Sequence, residues 1–244
     1  MTAHSTPSRP GGIAGYIRTV LALDGALATT ALTVFQYFVV SVSFFGCLVP
    51  TVAFTLLVGW QPTHLALCLG AASLLPLAPA VFALLRSTRA LLERRADARG
   101  GRSFWVAFGA GWRSLWWAAA GTSLMTLLLS YDLALFGAAD AMLLFVAAAG
   151  AVVAVLLIAV CAAAAANPGL RPVAALSVAA AALARRPHVG LSWLLLIGLG
   201  IAAASLPLIG SALALFLPAL LGAGIHICND ALRMPLTDET RRAS

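Results

Sequence analysis

Between Asp24 and Arg86 the chain runs through 61 positions without a charged side chain. About 20 apolar residues suffice to carry a helix across the roughly 30 Å hydrocarbon layer of a bilayer, so this interval is too long for one crossing and suited to two. The break is marked by Gly59, Trp60, Gln61, Pro62, Thr63 and His64, where turn-forming and polar residues meet. Span 1 is expected at 32–58 and span 2 at 64–86. Composition agrees, with 62% of the 244 residues hydrophobic and 9% charged, against about 25% charged in a soluble domain. A water-soluble globular fold is excluded, because so little polar surface cannot cover so much apolar sequence. The expected fold is all-α, a polytopic transmembrane helical bundle with interfacial amphipathic helices.

The remaining spans follow from the same rule. Residues 114–131 are uncharged, and Asp132 and Asp140 bracket a short turn before a span at 141–166 that stops at Asn167-Pro168-Gly169. Pro207 and Gly210 divide the uncharged stretch after His188 into spans at 190–205 and 208–228. Residues 170–188 read as an alanine-rich surface helix between arginines. Residues 1–31 form a retained polar leader and a possible surface helix, and 230–244 a polar tail. All 15 basic residues are arginine, and all fall on one side of these six spans, seven of them between Arg86 and Arg113. Arginine excess marks cytoplasmic loops, so the expectation is a multi-pass protein of the plasma membrane with both termini cytoplasmic. The net charge of +7 then faces anionic headgroups, and nucleic acid is not expected as a partner. Alanine-rich, lysine-free sequence is what GC-rich bacterial coding produces.

Reaction chemistry is not visible. Phosphate-binding glycine loops, the HExxH zinc motif, Gly-x-Ser-x-Gly and paired intramembrane aspartates are absent from the sequence. Cys47, Cys68, Cys161 and Cys228 lie in apolar surroundings and read as small fillers rather than a disulfide framework. His226 and Cys228 are near each other, but two residues apart on a helix they point in different directions. Neither an enzyme nor a cofactor or metal is expected. Pro76, Pro79 and Pro207 are candidate helix kinks, with Pro50 and Pro218 as further material for broken helices.

The segment that stands apart is 86–113. Its first half continues span 2 as a helix, with Arg89 and Glu93 four residues apart, until Gly100-Gly101 ends it. Its second half repeats Phe104, Phe108 and Trp112 every four residues, with Trp105 and Trp116 nearby and Arg102 and Arg113 flanking, the pattern of a helix at headgroup depth. Arg86, Arg89, Arg102, Phe104, Trp105, Phe108, Trp112 and Arg113 are the candidate membrane-interface or partner-docking residues, since Trp and Arg dominate interface energies.

Residues 74–133 also carry a pattern: Pro76, then Pro79-Ala80 with Ala83-Leu84, the arginine-rich stretch from Arg86 to Arg102, the aromatic FWVAFGAGWR from Phe104 to Arg113, and Tyr131-Asp132-Leu133. In this the chain resembles the YesL-like family of uncharacterised bacterial integral membrane proteins. It departs in having Ala78 where the family prefers glycine and Gly111 at a position often polar. The resemblance implies an accessory or scaffold role beside a carbohydrate uptake system. The expected partners are the lipid bilayer and transporter subunits, or a second copy through small-residue helix faces. An autonomous small-solute transporter or channel is the alternative.

Overall fold

The computed structural model describes residues 26–94, 99–137, 139–167, 169–207 and 210–232. Most of the leader, most of the tail and residues 95–98 of the arginine-rich segment lie outside the described residues. Eight helices are described: α1 Ala26–Leu57, α2 His64–Ser73, α3 Leu77–Arg94, α4 Gly100–Phe136, α5 Asp140–Ala166, α6 Pro172–Arg185, α7 Pro187–Ala204 and α8 Gly210–Ala231. Six helical stretches are long and apolar enough to cross a membrane, α2 and α3 counting together as one. The protein is an all-α integral membrane bundle.

Span 2 is broken in its middle, and the cause is Pro76. Lacking an N–H, it cannot donate to Ala72, and the chain tightens into short-range bonds from Leu74 to Ala71 and from Leu75 to Ala72. Neighbouring helices add donors at the break: the Thr51 hydroxyl of α1 donates to Ser73 O at 2.9 Å, and the Ser123 hydroxyl of α4 at 2.6 Å to Ala71 O, which also accepts from Leu74. In lipid no water can take their place, so a break at this depth requires such donors. Pro218 lies inside α8 without interrupting it, and the adjacent Ala219 N–H donates to the buried Ser41 hydroxyl of α1 at 3.1 Å.

Residues 100–136 differ from expectation. Gly100-Gly101 opens a helix rather than closing one, and the surface helix and span 3 are one continuous α4, bent at Leu115 where φ is −116° and ψ 16°. The glycines are there for close approach: a Cβ on Gly100 would lie 2.9 Å from Gln36 Oε1, and one on Gly101 2.8 Å from Val39 Cγ1. Gln36 Oε1 in turn accepts the Gly100 N–H at 2.7 Å, satisfying one of the orphan donors of the helix start.

The alanine-rich helix α6 is also corrected. It does not lie across the bundle end but returns beside α5: Leu176 shares a groove with Leu157 and Val160, and Leu183 meets Gly190 close to Val155. Ala175, Ala179 and Ala182 are its buried face, and such small residues let backbones approach closely in lipid. The helices after it keep alternating. Trp193 pairs with Asn229 and Gly200 packs on Leu217, so α7 and α8 are antiparallel. The Phe38–Phe216 ring contact and the Ser41–Ala219 bond advance in step, so α8 runs in the same direction as α1. With α6 as a seventh directional segment, the described chain enters α1 and leaves α8 at opposite ends of the bundle, where six alternating spans require the same end.

The core is built largely of small residues, with Ala78, Ala80, Ala83, Ala159, Ala163, Ala179 and Ala219 fully buried around Phe104, Leu115 and Trp193.

Candidate functional site

Helices α3 and α4 form a hairpin whose contact is set by Gly111. A Cβ there would sit 2.9 Å from Phe82 Cδ1 and 3.3 Å from Pro79 Cα, so the site has room for glycine alone. Phe104, Ala107, Gly111 and Leu115 are the buried face of α4, spaced three or four residues apart as one helical stripe requires. Phe104 therefore belongs to the core and not to the surface.

Each residue advances a helix by about 100°, which puts two different surfaces on the flanks of that stripe. On one flank stand Trp105, Trp112 and Trp116, exposed at 52%, 46% and 64%, with Phe108 half-buried among them. Their rings form a ladder with centroids 5.7 Å apart for Trp105–Phe108 and 6.1 Å for Phe108–Trp112, anchored inward by Phe104 at 5.7 Å from Trp105. Trp116, near the aromatic repeat in the sequence but not among the candidate residues, continues the stripe by one turn, as its four-residue spacing from Trp112 requires. On the other flank Ser103 and Val106 face a groove with Arg86, Arg89 and Glu93 of α3 and Ala166 at the end of α5. Arg89 Nε donates to Glu93 Oε1 at 2.9 Å. This pair is exposed and worth only about 0.3–0.5 kcal/mol. Arg102 and Arg113 are exposed on the arc between the flanks. The structure thus joins the aromatic residues to one another and Arg86 to Arg89, and separates the two sets.

The candidate kinks fall in three settings. Pro76 makes the α2–α3 break, Pro79 is buried in the first turn of α3, and Pro207 is exposed in the turn between α7 and α8.

Other polar groups are occupied with holding helices together. Trp193 Nε1, fully buried, donates to Asn229 Oδ1 at 3.1 Å, and His226 Nε2 is 2.6 Å from Leu85 O. The Arg186 guanidinium donates to Leu232 O at the end of α8. At the end of the bundle near Trp60, His64 Nδ1 and the Tyr131 hydroxyl are 2.8 Å apart. A cavity of about 350 Å³ opens beside them, lined by Trp60, Gln61, Thr126 and Ser130 among others. All four cysteines are free, Cys161 and Cys47 buried and Cys68 exposed, and among the described residues no three His, Cys, Asp or Glu side chains converge. Set against known protein families, curated proteins and solved structures, the chain matches none.

Proposed function

We propose that this is a non-enzymatic accessory or scaffold protein of the plasma membrane, associated with a carbohydrate uptake system, with its N-terminus and the 86–113 segment on the cytoplasmic side. The observation that carries the reading is the aromatic ladder of α4: three exposed tryptophans rising from a buried phenylalanine, with Arg102 and Arg113 alongside. Rigid aromatics with adjacent guanidinium groups are the composition of docking surfaces. The resemblance of residues 74–133 to the YesL-like family supplies the class of partner, a carbohydrate-import permease. The buried polar groups support a scaffold over an autonomous transporter. The break at Pro76 has hydroxyl donors from neighbouring helices on its carbonyls, and the Ala219 N–H beside Pro218 is bonded to the Ser41 hydroxyl, so the backbone that would line a solute path is already bonded within the bundle.

The test is purification of the tagged full chain from its native membrane in mild detergent, with quantitative mass spectrometry of what accompanies it. A sugar permease is expected at comparable amount. Replacing Trp105, Phe108 and Trp112 together by alanine is expected to lower that recovery at least ~10-fold. Equal recovery with and without the aromatic residues would leave the ladder as a lipid anchor. Isolation of the chain alone, with sugar flux in vesicles holding only this protein, would establish the transporter instead.

A further inference from the structure

We infer that the groove between α3, α4 and the end of α5 is a binding site for an anionic phospholipid headgroup, with Arg86 as the principal phosphate ligand. Depth is the first argument. Arg86 is the first charged residue after the uncharged interval, Ser103 lies in the first turn of α4, and Ala165 and Ala166 are the last residues of α5. Three helices pass from apolar to polar at this level, which is where a bilayer places its phosphates. The groove encloses about 510 Å³, within the range of roughly 300–1,000 Å³ usual for small-ligand clefts.

Charge and wall chemistry select the ligand. Among the described lining residues two guanidinium groups stand against one carboxylate, an excess of positive charge that suits one phosphodiester. Arg89 holds Glu93 through Nε, and among the described residues Arg86 has no ion pair and no hydrogen bond. A guanidinium grips two phosphate oxygens at once. The rest of the wall is apolar, with Val106 67% exposed and Ala107, Ala165 and Ala166 beside it. Inorganic phosphate has no use for such a wall, whereas a glycerophospholipid has a backbone and acyl chains to lay on it. Basic pockets between membrane helices are established headgroup sites in general.

The experiment is native mass spectrometry of the full chain in detergent with equal amounts of phosphatidylglycerol and phosphatidylcholine of the same acyl chains. Preferential retention of phosphatidylglycerol is expected. Arg86→Gln should lower that retention ~10-fold and Arg89→Gln by less. Arg185→Gln makes the same charge change outside the groove, at the end of α6, and should leave retention within about twofold. Arg86 is exposed, so the variants are expected to unfold at the unsubstituted temperature, and Arg86→Lys should keep part of the binding. The inference fails if Arg185→Gln acts as strongly as Arg86→Gln, or if both lipids are held equally. Displacement of the lipid by millimolar inorganic phosphate, with no preference for phosphatidylglycerol, would make the groove a phosphate site and overturn the lipid assignment.

Discussion

Buried hydroxyls in this bundle divide by whether they have a partner. Ser123 and Thr51 bond backbone carbonyls at the α2–α3 break, while Ser87 Oγ is buried with none among the described residues. Deleting a hydroxyl that holds a carbonyl in lipid costs about 1 kcal/mol, and deleting one with no partner removes a desolvation penalty. Ser123→Ala is therefore expected to lower the unfolding free energy in a detergent titration by about that amount, and Ser87→Ala to leave it unchanged or raise it. Equal losses in the two variants would contradict the assignment. None of this was legible in the sequence. The hydroxyls of Thr51, Ser123 and Ser41 reach backbone 22, 52 and 178 residues away, and a serine in an apolar run looks the same with a partner or without one.

At the scale of elements, glycine has two readings that only packing separates. Gly100-Gly101 has the composition of a helix end, yet it starts α4 where α1 passes close enough that an added Cβ would meet Gln36 and Val39. Gly111 is a second such contact. Gly111→Leu must displace the Pro79 backbone and Phe82, and overpacking of this kind costs about 1–3 kcal/mol. Gly109→Leu, two residues away with nothing within 4 Å of the added Cβ, is expected to be neutral or slightly stabilising in the same measurement. An equal loss at both positions would contradict the contact assignment, since exchanging glycine for leucine by itself gains helix propensity. Helix α5 was legible almost to the residue, at 141–166 expected and Asp140–Ala166 found, because an aspartate and an Asn-Pro-Gly stop are written at its ends. The bend at Leu115 was not, since no proline marks it.

For the whole molecule, sidedness is the property on which local and global signals part. Arginine counting over six spans puts both termini together. The return of α6 beside α5 and the shared direction of α1 and α8 put them apart. Helix α6 is about 21 Å long, shorter than the hydrocarbon layer, so Arg185 and Arg186 must reach the far interface by their own length or by local thinning. Reporter fusions before residue 26 and after residue 232 are expected on opposite sides of the membrane, and reporters on one side would restore the arginine assignment. What the sequence determined by itself was the solvent: uncharged length against bilayer thickness gave an all-α membrane bundle, its six long apolar segments and the aromatic repeat of α4. The tertiary structure alone decided which way Phe104 and the tryptophans turn, that Arg86 and Arg89 share a groove apart from the ladder, and that α6 joins the bundle. Burial in lipid is read one helix at a time from composition, whereas helix–helix contact depends on small residues and hydroxyls whose partners are distant in the chain.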